Sequence, residues 1–532
     1  MSSSPPETDP SAAADPERVL VAEGAPEHDL LGGQRLRLVL GALMLTLFLA
    51  ALDQTIVSTA LPRITSDLGG LNQLAWVVTA YLLASTASTP IWGKISDIYG
   101  RKLMLQSAIV IFLVGSALAG ASTSMGWLIV TRGIQGLGGG GLMVLVMAVI
   151  ADVIPPRERG RYTGLFGAVF AVASVVGPLL GGWLVETLSW RWIFYINIPL
   201  GIAAFFVLAS VLHIPQHRVD HRVDYIGAAL MVGGVVLGLL VTEWGGREYA
   251  WTSPTILLMA AGSVLLLVAF VRRQLRVPEP LVPMSLFRNK VFGVSSLIGF
   301  IVGLAMFGAI IFLPLYLQVV QGASPTQAGL QMIPMMLGLL SMSIISGRLI
   351  SRFGRYKVFP IIGTVLATVA LLLFSTLQVD TPYWKVALAM FVLGAGLGNV
   401  MQVLVIAVQN SVDQREIGVA TSGTTFFRTI GGTFGTAVFG AVMTSQLASH
   451  LAASLPAGAA GGLDPSQLTS AMSTIAGLPA QVQHLVLTAF SDSLAAVFLT
   501  AVPVMVVAVL LALVLPEVRL RGTHDRPSVP AE

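Results

Sequence analysis

The sequence has 532 residues, of which 55% are hydrophobic and only 11% are charged, and its mean hydropathy is +0.83. Soluble globular domains carry about 25% charged residues, so this composition excludes a water-soluble fold for most of the chain. The absence of cysteine excludes disulfides, thiolate catalysis and iron–sulfur clusters, and the net charge of +4 comes from basic residues scattered in short loops, which favours membrane topology over nucleic-acid binding.

The first segment, residues 1–37, is rich in proline, alanine, serine and acidic residues and contains no long apolar run. Such a composition cannot bury enough apolar surface to fold by itself. It also lacks the apolar core of a secretory signal peptide. We predict a disordered cytoplasmic tail and expect the first membrane helix to direct insertion.

Apolar stretches then recur along the chain, and about 20 apolar residues suffice to cross a bilayer as a helix. Fourteen such stretches are predicted to span the membrane: 38–59, 74–95, 103–121, 127–153, 162–185, 192–212, 225–242, 254–271, 291–317, 328–349, 358–377, 386–408, 417–443 and 493–515. With the tail inside, 24 of the 30 Lys and Arg residues face the cytoplasm. The positive-inside rule therefore predicts that both termini are cytoplasmic.

Two loop motifs recur at nearly equal offsets. Residues 93–101 read GKISDIYGR and residues 347–355 read GRLISRFGR, 254 positions later. Residues 157–160 (RERG) are followed 258 positions later by 415–418 (REIG). Each pair is separated by an even number of spans, which predicts two parallel halves around a site at mid-membrane.

This repeat sets the predicted domain organisation. The predicted parts are a tail, a six-helix bundle, two inserted helices with a linker, a second six-helix bundle and a second cytoplasmic tail: 1–37, 38–212, 213–290, 291–515 and 516–532. The second bundle includes a long outer loop, 444–492, that has no Lys or Arg. We predict a short surface helix in that loop and no catalytic domain.

Several helix motifs carry a family resemblance that extends over residues 38–515. They are LDQTIV (52–57), the loop 93–102, RGIQG (132–136), GPLLGG (177–182), WRWIFYINIP (190–199) and FFRTIGG (426–432). In these motifs the chain resembles the major facilitator superfamily and, within it, the fourteen-helix drug:proton antiporters. The resemblance implies an all-α membrane protein with 14 transmembrane helices arranged as 6+2+6. One departure is Ala173, where the helix-five motif of that family usually has glycine.

Asp53 is the only one of the 26 acidic residues in the middle of a predicted span. At about 1.5 Å rise per residue, Asp53 lies roughly 13 Å and Arg132 roughly 8 Å from the outer ends of their helices, a difference that an arginine side chain can bridge. Burial opposes ionisation of the carboxyl and Arg132 supports it, so the pair is a candidate proton-coupling site. The alternative is a permanent ion pair that locks two helices. Gln135, one turn from Arg132, orients the arginine or is a satisfied core amide.

The loop 93–102 is a candidate gate, with Gly93, Asp97, Gly100 and Arg101 as its residues. Asp97 would pair with Arg101 or with a facing helix N-terminus in one conformation only. The alternative is that the basic residues of this loop only set the membrane topology and that its glycines only form the turns. In the second copy Ser351 replaces the acid, so the gate is expected to be asymmetric.

Two further motifs lie inside spans. One motif predicts a kinked helix with a face of small residues, against which a neighbouring helix packs closely and pivots; its residues are Gly177, Pro178, Gly181 and Gly182. The alternative is ordinary small-residue packing. Arg428 lies near mid-depth with no intramembrane acid left to pair with. It would bind a substrate anion, a lipid phosphate or backbone carbonyls, the last being the interpretation favoured by sequence.

Enzymatic functions find little support. The glycines at 136–141 formally match a dinucleotide fingerprint, but no strand precedes them, and no P-loop is present. The seven histidines all fall in loops, tails or span ends, so no haem, metal or other cofactor is predicted. We therefore expect no enzyme activity and no binding of ATP or nucleic acid.

The sequence thus favours proton-coupled export of small amphipathic or cationic compounds, multidrug efflux, by alternating access. Export of a lipid or siderophore-like metabolite and, less favoured, proton-coupled nutrient symport are the alternatives. Candidate cavity residues are Trp76, Tyr81, Gln135, Tyr195, Phe426 and Arg428, the aromatics being alternatively lipid-facing. The expected setting is a monomer, multi-pass in a bacterial cell (inner) membrane, with protons and a small-molecule substrate as partners.

Overall fold

The computed structural model describes most of the chain in eight segments. They are residues 33–69, 73–154, 156–212, 224–246, 248–278, 280–413, 416–454 and 480–520. The predicted tail 1–32, the segment 521–532 and the part of the predicted outer loop at 455–479 lie outside the described residues.

The described segments fold almost entirely into helices. In chain order these are α1 (Gly33–Leu68), α2 (Leu74–Tyr99), α3 (Arg101–Gly120), α4 (Met125–Val153), α5 (Pro156–Thr187), α6 (Trp192–Tyr195), α7 (Asn197–Val211), α8 (Tyr225–Trp244), α9 (Pro254–Gln274), a 3₁₀ helix (Met284–Arg288), α10 (Lys290–Val319), α11 (Pro325–Gln331), α12 (Ile333–Phe353), α13 (Val358–Phe374), α14 (Tyr383–Ser411), α15 (Ile417–Ser454) and α16 (Ala480–Val514). Among the described residues, nine helical stretches are long and apolar enough to cross a membrane. The all-helical membrane fold is therefore confirmed, and the count of fourteen spans stays a prediction.

Proline divides two of the predicted spans. The stretch 192–212 forms α6 and α7, which meet at Ile196, and the stretch 328–349 falls in α11 and α12, which meet at Met332. Pro199 and Pro334 have no N–H with which to bond the carbonyls of Tyr195 and Leu330, where α6 and α11 approach their ends. A sequence window of mean hydropathy averages over such interruptions.

Other helices are longer than the apolar stretches that predicted them. Residues 33–37, assigned from sequence to the tail, already belong to α1. At the predicted outer loop, α15 continues to Ser454 and α16 begins at Ala480, so helix occupies both ends of the segment 444–492. A helix can continue beyond its apolar stretch because its backbone hydrogen bonds do not depend on apolar side chains.

The helix ends collect at two faces of the bundle. At one face, which we call the Gly100 end, Asp97 accepts from Val419, Lys102 donates to the Ala209 carbonyl and Tyr356 donates to the Pro516 carbonyl. The other face, the Trp190 end, joins Trp190 to Asp67, Arg191 to the Ser122 carbonyl, Tyr316 to the Gln378 carbonyl and Ser491 to the Leu377 carbonyl. Successive long helices thus run in opposite directions across the bundle.

The buried apolar residues form separate cores in the two halves of the chain. One core is built from α10 to α16 and reaches Leu520, while two others lie within α1 to α7. The halves meet where α2 packs on α15 and α5 packs on α12. The antiparallel pair α8–α9 lies beside this junction, where Met231 and Val235 pack near Leu83 of α2 and Phe426 of α15.

Candidate functional site

The side chain of Asp53 is fully buried in the middle of α1 and accepts from three donors. Its Oδ2 lies 2.6 Å from a terminal guanidinium nitrogen of Arg132 on α4. Its Oδ1 accepts from Nε2 of Gln135 at 2.8 Å and from Nδ2 of Asn197 on α7 at 2.9 Å. The carboxylate therefore joins three helices and is balanced by one cation and two amides.

A second layer of contacts fixes these donors. Ser116 on α3 accepts from Gln135 at 3.1 Å and from Asn197 at 3.0 Å, and it donates to the Phe194 carbonyl at 2.8 Å. Sequence reasoning did not select Ser116 or Asn197, because neither is charged and helical depth alone does not show which helices face each other. Only the folded structure shows that Asn197 contacts Asp53 and that Ser116 contacts Gln135.

Arg132 is held from several sides although it is only 1% exposed. It donates to the Gln135 side-chain oxygen at 2.8 Å and to the Val77 carbonyl at 3.1 Å. Its guanidinium also lies over the Tyr81 ring, 4.4 Å from the centroid, which adds a cation–π contribution. These contacts reduce the desolvation cost of burying a cation in apolar surroundings.

This network ties α1 to α4 and α7 through one buried carboxylate. Removing either charge of a buried pair leaves the other uncompensated, which costs about 3–5 kcal/mol. One acceptor, Oδ1 of Asn197, is buried and receives no hydrogen bond from the described residues. Substitution of Asp53 would therefore remove the contacts that tie α1 to α4 and α7.

The residues of the predicted gate meet at the Gly100 end. Asp97 and Arg101 form an ion pair, and Nε of Arg101 also bonds Asp152 at the end of α4, at 2.9 Å. Gly100 has a φ of 94°, a left-handed conformation that favours glycine and permits the sharp passage from α2 into α3. The geometry thus assembles Asp97, Gly100 and Arg101 into one turn.

The same turn closes against the second half of the chain. Oδ2 of Asp97 accepts from the backbone N–H of Val419, in the first turn of α15, at 3.1 Å. A carboxylate at a helix N-terminus is favoured by the unpaired amides and by the helix dipole. Gly93 lies under this contact, where an added Cβ would stand 2.7 Å from the Gly418 carbonyl oxygen and would also strike Ser422.

Asp97 lies beyond the apolar part of α2 and is well shielded from water. Burial raises its pKa to about 6, although Arg101 and the Val419 N–H act in the opposite direction. A raised pKa means that this closed contact binds a proton more tightly than a solvated carboxyl does. In this contact Asp97 therefore keeps a proton at pH values where a solvated carboxyl has lost it, up to about pH 6.

The glycines of the helix-five motif differ in their surroundings. An added Cβ at Gly177 would collide with Thr55 of α1, whose hydroxyl donates to the Ala173 carbonyl of α5 at 3.0 Å. Pro178 lies within α5, which continues on both sides of it. Gly182, in contrast, has no atom within 4 Å of an added Cβ, so close approach of α1 is centred on Gly177.

The aromatic cavity candidates do not form one cluster. Trp76 packs edge-on against Trp244 of α8 at 5.7 Å, whereas Tyr195 packs beside Gly120 of α3. Tyr81 is only 1% exposed and covers Arg132. Phe426 packs in the apolar cluster between α2, α8 and α15.

The two polar candidates also separate. Gln135 is fully buried within the Asp53 network, so in this conformation it donates a hydrogen bond to the carboxylate and does not line a cavity. Arg428 is partly buried in the middle of α15. Among the described residues, no group of three or more metal-ligating side chains comes together.

Comparison with known proteins assigns the family. The family model described as "Major Facilitator Superfamily" matches residues 43–224 and 225–436. The multidrug transporter protein MdtP of Bacillus subtilis is 42% identical over 409 residues, covering 77% of this chain and 75% of its own length. Multidrug resistance protein 3 of the same organism is 34% identical over 496 residues, covering 92% and 96%.

A solved structure shows the same fold at low sequence identity. The proton:xylose symporter XylE, with bound 6-bromo-6-deoxy-D-glucose, superposes with a TM-score of 0.59 at 15% identity, covering 92% of this chain and 97% of that one. At such low identity the likeness concerns the fold alone. By its family match and by its transporter relatives, the chain belongs to the major facilitator superfamily.

Proposed function

We propose that this transporter exports small amphipathic or cationic compounds in exchange for protons, by alternating access. The observation that carries the proposal is the enclosed Asp53–Arg132 pair with its amide ligands Gln135 and Asn197. It supports proton coupling because a single buried carboxyl, held by an arginine, changes helix contacts when it gains a proton. The multidrug transporters among the relatives support the substrate class.

The contact at the Gly100 end supports alternating access. Asp97 bridges α2 of the first half and α15 of the second half, and it is the kind of contact that a rocking motion breaks. Gly177 provides close packing between α5 and α1, the helix that carries Asp53. In this proposal proton uptake and release at Asp53 bias the two halves between an open and a closed Gly100 end.

The proposed topology follows from the charge distribution. Fourteen spans, arranged as two six-helix halves with α8 and α9 between them, place the Gly100 end in the cytoplasm with both termini. The arginines and lysines near this end, among them Lys94, Lys102 and Arg355, support that orientation. The proposed location is a bacterial cell membrane.

The experiment is substrate accumulation in proteoliposomes that carry an imposed pH gradient. We expect ethidium to accumulate on the acidic side and to leave when nigericin collapses the gradient. Accumulation on the alkaline side would indicate symport in place of exchange. Accumulation that is insensitive to the pH gradient would contradict proton coupling, and movement of lipid without movement of ethidium would contradict the substrate class.

A further inference from the structure

Arg428 is the second arginine in the middle of a predicted span, and it differs from Arg132 in its partners. Arg132 is satisfied by Asp53, Gln135 and the Val77 carbonyl. For Arg428, no described residue supplies a hydrogen bond, an ion pair or an aromatic face. An arginine in the hydrocarbon region is costly and normally finds a partner or a polar cavity, so the missing partner needs an explanation.

The neighbouring helix brings a second unsatisfied group to the same level. Gln409 of α14 donates to Thr421 of α15 at 3.0 Å, which sets the register of these two antiparallel helices. Gln402 precedes Gln409 by seven residues and Arg428 follows Thr421 by seven, two helix turns in each case. This register brings Gln402 and Arg428 to the same level along the two helices. The side-chain oxygen of Gln402 is buried and accepts no hydrogen bond from the described residues.

A third helix packs beside the arginine. Gly299 of α10 faces the Cβ of Arg428, and an added Cβ at Gly299 would find its nearest neighbours at 3.8–3.9 Å. One turn earlier on α10, Ser295 is fully buried and its hydroxyl has no partner among the described residues. Three polar groups without a partner among the described residues therefore come from α10, α14 and α15.

We propose that Arg428, Gln402 and Ser295 form a binding site for the anionic group of an amphipathic organic anion, a carboxylate or a sulfonate. The planar guanidinium binds two oxygens of such a group at once. Nε2 of the Gln402 amide and the Ser295 hydroxyl would donate hydrogen bonds to the same group or to a neighbouring one, and the Gln402 oxygen would accept from the guanidinium. The site lies in the second half of the chain, away from the Asp53 network in α1 and α4.

This inference rests on the proposed export function and extends its substrate class to compounds that carry an anionic group. An anion site in the second half and a carboxylate in the first half would allow the transporter to accept zwitterions as well as cations. A lipid phosphate offers the same anionic oxygens as a soluble substrate, so the experiment has to separate the two sources.

The test is equilibrium binding of 2-naphthoate and 2-naphthylmethylammonium, two probes with one ring system and opposite charge. The purified full-length protein is held in phosphatidylcholine nanodiscs, where no proton gradient exists, so this test can fail while the proposed proton coupling stands. We expect the ratio of the Kd for naphthoate to the Kd for the ammonium probe to rise about tenfold to a hundredfold in Arg428→Gln. Arg428→Lys is expected to lose less, and Gln402→Leu is expected to raise the ratio severalfold.

Arg348→Gln is the matched control, because Arg348 lies exposed near the Gly100 end of α12, and it should leave the ratio unchanged. Absence of naphthoate binding to the wild type would overturn the proposal without any variant having to fold. An equal loss of both probes in Arg428→Gln and Gln402→Leu would also overturn it. Competition by phosphatidylglycerol that depends on Arg428 would retain the anion site but assign it to a lipid headgroup.

Discussion

The contact between α2 and α15 at the Gly100 end gives a sharp test through a single methyl group. In Gly93→Ala the new Cβ would stand 2.7 Å from the Gly418 carbonyl oxygen, about 0.8 Å short of the best separation of non-bonded atoms. Backbone cannot rotate away as a side chain can, so α2 and α15 have to separate. Separation also removes the bond from the Val419 N–H to Asp97.

The size of the effect follows from the bond that is lost. A hydrogen bond to a charged group contributes about 1.5–3 kcal/mol, so the ratio of open to closed conformers should rise roughly 10- to 100-fold. Gly133→Ala is the matched control. Gly133 lies within α4, has no atom within 4 Å of an added Cβ, and gains the same helix propensity.

The assay uses the absence of cysteine from the chain. Tyr99→Cys and Asp413→Cys introduce two exposed spin-label sites on either side of the contact, and pulsed EPR measures the distance between them. We expect a longer distance to gain population in Gly93→Ala at pH 7 and not in Gly133→Ala. Identical distance distributions for Gly93→Ala and the unsubstituted protein would show that the added methyl group does not separate α2 from α15.

Three further predictions use other contacts. The same label pair should report more of the closed conformer at pH 5 than at pH 7. Because the pKa of Asp97 is raised in the closed contact, protonation stabilises the closed conformer at low pH, and this stabilisation is lost as pH rises through about 6. In Asp97→Asn the pH dependence should disappear, and its persistence would exclude Asp97 as the cause. Asn197→Leu removes a hydrogen-bond donor to Asp53 and should lower the free energy of unfolding by about 1.5–3 kcal/mol, measured by thermal unfolding in detergent. An unchanged unfolding midpoint would show that this hydrogen bond does not stabilise the protein. Burial of Asp224 acts to raise its pKa, but hydrogen bonds from Gly227, Arg273 and Gln274 outweigh burial and lower it, so the stability that Asp224 adds at the start of α8 should be complete at neutral pH and lost as pH falls through the lowered pKa. Asp224→Ala should therefore lower the free energy of unfolding by about 1 kcal/mol at pH 7 and by less in acid. Equal losses at both pH values would contradict this assignment.

Much of the central geometry could be predicted from helical depth. Counting residues along two apolar stretches places Asp53 and Arg132 at levels that one arginine can bridge, and the structure joins them at 2.6 Å. Gln135, one turn from Arg132, lies on the same face and contacts the same carboxylate. Charge within an apolar span is rare, so it stands out in a sequence.

Neutral polar residues do not stand out in this way. Asn197 and Ser116 contact Asp53 or its ligands, yet a sequence that contains many serines does not distinguish the one that faces a buried carboxylate. The same limit applies to Gln402, whose position level with Arg428 follows only from the register that Gln409 and Thr421 set.

Packing partners were also beyond reach of the sequence. The two glycines Gly177 and Gly182 look alike in a motif, but one touches Thr55 and the other faces open space. Trp76 and Tyr195 were grouped as cavity aromatics, whereas the fold places them against Trp244 and Gly120. Helix rotation and the identity of the neighbouring helix decide these contacts, and neither follows from hydropathy.

The most direct measurement of the central claim is substrate-driven proton movement in liposomes that contain a pH-sensitive dye. The unsubstituted protein, Asp53→Asn and the control Asp492→Asn, whose carboxyl lies exposed on α16, are compared on addition of ethidium. We expect proton movement in the unsubstituted protein and the control, and its loss in Asp53→Asn while ethidium binding persists. Equal proton movement in Asp53→Asn would exclude Asp53 from proton coupling and leave it as a structural partner of Arg132.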